Sequence, residues 1–311
     1  MRILVVGVGA IGGYFGGRLL QAGRDVTFLV RPRRAALLMK HGLSIRSRFG
    51  DFDEPTPPLV STEGLAEPFD LIILSCKAYD LAGAIASFAK AVGPKTAILP
   101  LLNGMRHLDV LADRFGAQRV LGGLAMISAT IDANGSIAHL NDLHTLAFGE
   151  LDGSRSPRIE TVASALTGAG FDARLTDEIR QEMWEKWIFI ATGAGITCLM
   201  RAAIGDIVAA GASDLVTKLL SECAAIADAQ GFPPRQASLE RARTAFTAAG
   251  SPLKASMLRD IERGMPVEGD HILGDLLRRA AKPDDHSLLR IAYLNVKAYE
   301  AGRMRGETAI P

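Results

Sequence analysis

The sequence has little of what would assign it a function at a glance. Its three cysteines in 311 residues, Cys76, Cys198 and Cys223, lie far apart and show no Cys-x-x-Cys or Cys/His ligand spacing. That excludes a disulfide scaffold and a structural zinc motif, and it points to reduced thiols in the cytoplasm with no metal site. Charge of one sign is not in excess. With 35 Lys and Arg against 34 Asp and Glu the net charge is +1, so neither nucleic acid nor an anionic membrane surface is expected as a partner. The longest apolar run, Trp187 to Met200, is short of a membrane span and is flanked by Lys186 and Arg201. Met1-Arg2 leads straight into a strand pattern, which leaves no room for a signal peptide, and no internal repeat or low-complexity tract stands out. What remains is a globular composition at a length for which two domains are the expectation.

The informative stretch comes first: Arg2-Ile3-Leu4-Val5-Val6 and then Gly7-Val8-Gly9-Ala10-Ile11-Gly12. A buried parallel strand running into Gly-x-Gly-x-x-Gly at the start of an amphipathic helix is a dinucleotide site. Gly7 permits the tight turn, Gly9 lets backbone approach a pyrophosphate, and Gly12 lets the helix lie close on the strand. The free N–H groups of the helix start face the phosphates. The pattern predicts a helix over Ala10 to Ala22 and a second strand over Asp25 to Val30, the surroundings that a chance glycine pattern lacks.

The residue at the carboxyl end of that second strand selects the cofactor. An NAD site needs an acid there for the ribose 2′-hydroxyl, whereas this chain has Arg31, followed by Arg33 and Arg34. An arginine–phosphate hydrogen bond is worth about 1.5–3 kcal/mol, roughly ten- to a hundredfold in favour of NADP(H). The alternative is that these arginines merely begin a solvated helix over Ala35 to His41. Further strands are expected over Phe69 to Lys77 and Thr96 to Gly104, which puts Lys77 and Asn103 at the sheet edge where open α/β sheets bind ligands. Each also has a bland reading, Lys77 as a solvated loop charge and Asn103 as a turn residue before Gly104. Strands from Val120 to Ile131 and onward to Phe148 are expected to extend the same sheet, with a last strand over Phe171 to Leu175.

Beyond Asp177 the period becomes helical, so the reading is a Rossmann-type doubly wound α/β domain over residues 1–177 and an all-helical domain over 178–311. The first helix of that half, from Glu182 to Ala194, sets Lys186 among aromatic and aliphatic residues, in line with Ile190 and Ala194. The amine is either a functional group or a snorkelling cation whose partner is solvent, Glu182 or Glu185. Helices are expected over Ser213 to Gln230, Arg235 to Ala248, Gly269 to Ala280 and Asp285 to Ala301, with a frayed tail from Gly302. Ser256 and Glu268 are each in place to cap a following helix.

Taken together, Gly7-Val8-Gly9-Ala10-Ile11-Gly12, Cys76-Lys77, Asn103-Gly104-Met105, Trp184-x-Lys186 and Ser256-Met257-Leu258 with Glu268 twelve residues after the serine resemble the ketopantoate reductase (2-dehydropantoate 2-reductase) family over nearly the whole chain. The resemblance implies an NADPH-dependent Rossmann domain and a helical domain with substrate in the cleft between them, and the reduction of a 2-oxo acid as in pantothenate biosynthesis. It implies proton donation by Lys186, contact with cofactor and substrate by Asn103, substrate binding by Ser256, and cofactor contacts by Lys77, Ser128 and Glu268. It also exposes a departure: asparagines carried by pantoate-forming members are replaced here by Ile190, Ala194 and Ile204. Apolar groups in place of amides disfavour a substrate as polar as ketopantoate. A relative that reduces a less polar ketone or an imine is the alternative, a non-catalytic NADPH sensor is a second, and a homodimer is left open.

Overall fold

The computed structural model describes residues 1–132, 134–281 and 286–306. The chain falls into two units, one of residues Met1–Leu102 and His107–Arg180, the other of Asn103–Arg106 and the chain from Gln181 onward.

In the first unit β1 (Arg2–Val6) is the middle of a five-stranded parallel sheet, flanked by β2 (Asp25–Leu29) on one side and β6 (Leu71–Leu74) on the other. The order is β5-β2-β1-β6-β7, with β5 at Leu59–Val60 and β7 at Ala97–Pro100. Ile3, Leu4 and Val5 are wholly buried, as an unbroken apolar strand covered on both faces must be. The helix α1 (Ala10–Gln21) carries the chain from β1 to β2, and α3 (Leu81–Phe88) follows β6. Because the chain leaves β1 to one side and later returns to the other, the carboxyl end of β1 is the point where strand order reverses, the place at which such sheets take ligands.

The strands after α4 (Arg106–Phe115) depart from expectation: they do not extend this sheet. β8 (Leu121–Ile131) and β9 (Ile137–Glu150), one 14-residue strand rather than several short ones, pair antiparallel and build a second sheet. Its order is β10-β9-β3-β4, with β10 at Asp172–Leu175, β3 at Leu43–Arg46 and β4 at Phe52–Glu54. Among the described residues one isolated parallel bridge, Ile98 to Val120, continues toward the first sheet. The cause is local: β8 and β9 are near neighbours in sequence, with Asp132 N–H donating to the Ser136 carbonyl at 2.9 Å between them, and a hairpin pairs antiparallel without the crossover that a parallel addition needs. The helices α2 (Pro32–His41) and α5 (Pro157–Leu166) complete the unit.

The second unit is helical. Its longest element, α6 (Ile179–Met200), carries apolar residues all round, with Trp187, Ala191 and Cys198 wholly buried, so it is enclosed by its neighbours. Around it are α7 (Ile204–Ala209), α8 (Ser213–Ala229), α9 (Gln236–Phe246) and α10 (Ser256–Glu262). The helix expected over Gly269 to Ala280 begins instead as a π-helical turn, Asp270–Gly274, and continues as α11 (Asp275–Arg278). The last helix, α12 (Leu288–Met304), is capped by Ser287, whose hydroxyl accepts from Arg290 N–H at 3.1 Å. It runs past Gly302, where fraying was expected, while its expected start at Asp285 lies outside the described residues. Among the described residues no helix is long and apolar enough to cross a membrane.

Candidate active site

In the first unit the glycine turn has the form that a pyrophosphate needs. Gly7 is left-handed at φ +90, and a side chain there would meet the Cys76 backbone nitrogen at 3.0 Å. Gly12 is the packing position: an added Cβ would lie 2.0 Å from Ser75 Oγ and 2.3 Å from the Gly7 carbonyl oxygen, which itself accepts from the Ser75 hydroxyl at 2.7 Å. Gly9 differs, having nothing within 4 Å of its missing side chain, so its backbone face is open. It is also the N-cap of α1, and no side chain caps that helix and no acid sits in its first turn. Uncapped N–H groups with the positive end of the helix dipole suit an anion. The residues fit a dinucleotide.

The other sequence-read positions of this unit lie as follows. Arg31 is exposed at the N-cap of α2, where it is ion-paired with Asp80 at 2.9 Å. Lys77 is exposed in the turn after β6. Ser128 lies in β8 at a register shift between Ile127 and Ala129, and its N–H donates to Asn141 Oδ1 at 2.9 Å. Arg34 is the residue that rests on the glycine turn itself: its Nε donates to the Val8 carbonyl at 3.0 Å. Its place three residues after Arg31, on the same helix face, was the signal in the sequence.

In the second unit Lys186 is half-buried on α6, and burial pushes its ammonium down to about 8. Its sequence neighbour Glu185 is committed elsewhere. That carboxylate is buried and accepts from Arg235 Nε at 2.7 Å, Arg235 Nη2 at 2.8 Å, Arg235 N–H at 2.9 Å and Gln181 at 3.2 Å. Asn103 is half-buried in a turn completed by Gly104 at φ +77. Ser256 is exposed as the first residue of α10, whose N-cap is Ala255, and Glu268 is half-buried just before the π-helical turn. Ser256 lies inside α10 and not at its N-cap, whereas the Glu268 carbonyl accepts from the His271 and Ile272 N–H groups at the start of the next helical segment.

Two further residues link these positions within the helical unit. Trp187, next to Lys186, donates its indole N–H to the Ile272 carbonyl at 2.9 Å, tying α6 to the segment after Glu268. His271, which the sequence reading passed over, is buried against Gly104 and hydrogen-bonded to the Asn103 backbone. Its signal was a lone imidazole in the otherwise apolar run that follows Glu268.

Comparison with known proteins supplies the lineage. The family model described as Ketopantoate reductase PanE/ApbA matches residues 3–153, and its partner, Ketopantoate reductase PanE/ApbA C terminal, matches residues 178–284. The chain belongs to the ketopantoate reductase family. Similar relatives include an uncharacterized oxidoreductase, YkpB, of Bacillus subtilis, 38% identical with 97% of this chain and 99% of that one covered. A 2-dehydropantoate 2-reductase of Mesorhizobium japonicum is 29% identical, with 91% and 93% covered. Among solved structures, 2-dehydropantoate 2-reductase from Methylococcus capsulatus superposes with a TM-score of 0.85 at 29% identity, over 97% of this chain and 98% of that one.

Of the three apolar positions that the resemblance singled out, Ala194 and Ile204 are buried and Ile190 is half-buried, and none of these side chains carries a hydrogen-bonding group. Ile204 is also fixed by its backbone, which donates to the Leu253 carbonyl at 3.0 Å.

Proposed function

We propose that this family member reduces the carbonyl of a 2-oxo acid to the 2-hydroxy acid with NADPH. The observation that supports the reading is the place of Lys186, an amine on α6 next to the buried Trp184, Trp187 and Ile188, where burial lowers it to about 8, a value suited to proton donation near neutral pH. Gly7, Val8, Gly9, Ala10, Ile11 and Gly12 would hold the pyrophosphate, Arg31 would take the 2′-phosphate, and Lys77, Ser128, Asn103 and Glu268 would make the remaining cofactor contacts. When bound, NADPH would supply a hydride to the carbonyl carbon. As negative charge grows on the carbonyl oxygen, the Lys186 ammonium stabilises it and transfers a proton from Nζ, and the neutral amine regains a proton from water. Asn103 and Ser256 orient the substrate.

The apolar trio Ile190, Ala194 and Ile204 favours a second reading, in which the substrate is less polar than ketopantoate and pantothenate synthesis is not the setting. A panel of 2-oxo acids and ketones, ketopantoate included, assayed by NADPH oxidation separates the two. Lys186→Ala is expected to lower kcat by roughly 10²–10³ on the best substrate, the cost of one oxyanion donor. Unchanged turnover in that variant overturns the mechanism, and NADPH binding with no oxidation across the panel turns the reading toward a sensor.

A further inference from the structure

Three of the residues assigned above connect to one short segment. Glu268 precedes it, and its carbonyl accepts the first N–H groups of the turn, from His271 at 3.1 Å and Ile272 at 2.9 Å. The helix bearing Lys186 is joined to it by Trp187, through the Ile272 carbonyl at 2.9 Å. The segment is held from its other side as well. Asp270 accepts from the Tyr293 hydroxyl at 2.7 Å and from Lys297 at 3.0 Å, and a side chain at Gly274 would come within 2.8 Å of the Tyr293 ring. A π-helical turn wound this way breaks the regular spacing of α-helical side chains, and such turns recur at functional sites.

His271 extends from this anchored turn to Asn103 and Gly104. At Gly104 no side chain fits: a Cβ would lie 3.0 Å from His271 Cδ2 and 3.2 Å from Nε2, so the imidazole lies directly on the left-handed glycine. His271 is 6% exposed. Burial lowers its pKa, and the carboxylates of Glu268 and Asp275 only partly offset this, so the ring is neutral at pH 7 with a single N–H. That N–H donates to the Asn103 carbonyl.

We propose that His271 is a positioning residue: it fixes the Asn103–Gly104 turn, and with it the direction of the Asn103 side chain, from the same segment that sets Glu268. The proposal rests on the cofactor role given to Asn103 above. Three explanations compete for the buried ring: proton carrier, packing volume, or anchor. A neutral ring committed to a carbonyl does not carry protons, and volume alone does not account for a hydrogen bond aimed at Asn103.

The test is a double-mutant cycle of His271→Leu with Asn103→Ala, read by NADPH affinity and by amide hydrogen exchange in the cofactor-free protein. His271→Leu is expected to weaken NADPH about tenfold, the worth of one hydrogen bond, and to add less than about twofold once Asn103 is alanine. His271→Asn or His271→Gln, which keep an N–H donor, should recover affinity to within about threefold. In the free protein the Asn103 to Met105 amides should exchange about tenfold faster in the leucine variant, with the core of α6 unchanged. Equal losses in both backgrounds, or unaltered exchange at Asn103 to Met105, overturn the proposal. If the leucine variant does not fold, His271→Phe, which keeps the ring volume without a donor, takes its place in the cycle. If the wild-type protein does not bind NADPH, the cofactor reading fails and the exchange measurement still decides whether His271 anchors the turn.

Discussion

Replacing Lys186 by methionine should stabilise the protein below pH 8 and disable it. The folded chain holds this ammonium at about 8 against its usual 10.5, and burial is the cause. That difference corresponds to a penalty of about 3 kcal/mol on the charged form. Below pH 8 the lysine is protonated in folded and unfolded chains alike, and the fold bears the whole penalty. Between 8 and 10.5 the unfolded chain keeps a proton that the folded chain has released, so the penalty shrinks as pH rises and is gone above 10.5. Lys186→Met removes the term, and the stability gained should follow the same course: largest at pH 6–7, falling from pH 8, absent near 10.5. Packing differences between methionine and lysine do not titrate, so the slope isolates the electrostatic part. Paired urea or thermal unfolding of wild type and variant across pH 6–10.5 measures it. A stability difference that stays flat over that range would falsify the claim that the amine is held in a desolvated place. The same variant should lack reductase activity, the exchange of stability against function common at active sites.

Three other expectations follow from the same geometry. Rates of carbonyl reduction should fall about tenfold per pH unit above the Lys186 value of about 8, because the donor is lost there; a profile flat to pH 10 contradicts proton donation by this group. Gly12→Ala and Gly9→Ala should separate folding from binding. The first sets a Cβ 2.0 Å from Ser75 Oγ and should cost about 1–3 kcal/mol of stability, measured by unfolding. The second meets no protein atom within 4 Å, and should leave stability within about 0.5 kcal/mol while weakening NADPH at least tenfold by titration. Arg235→Ala should destabilise the helical unit by about 2–3 kcal/mol at pH 7, since it strips a buried carboxylate of its charged partner. Burial opposes ionisation of Glu185, but Arg235 and Gln181 outweigh it and hold the carboxyl below its usual 4.5. This contribution is therefore present at neutral pH and lost as pH falls below 4.5, and the stability gap between wild type and variant should narrow in acid, as paired unfolding at pH 7 and pH 4 reads out.

The sequence by itself determined what depends on near neighbours. Strand β1, the glycine turn, α1 and β2 follow from an apolar run, three glycines at set spacing and a change of period, because sterics and hydrophobic periodicity act within a few residues. It also singled out Lys186, since a lysine among tryptophans, isoleucines and phenylalanine stands out in one helical stretch. The tertiary structure alone decided what depends on residues distant along the chain. The sequence marks Val120 to Phe148 as strands but led to the wrong sheet, and the antiparallel pairing of β8 with β9 decided that. Arg31 was legible as a cation, but Asp80, its partner 49 residues away, was not. Asn103 follows a strand of the first unit, yet it packs with the helical one, where His271 reaches it. Pairing of this kind is set by long-range packing and by the desolvation that packing imposes, and no local pattern encodes either.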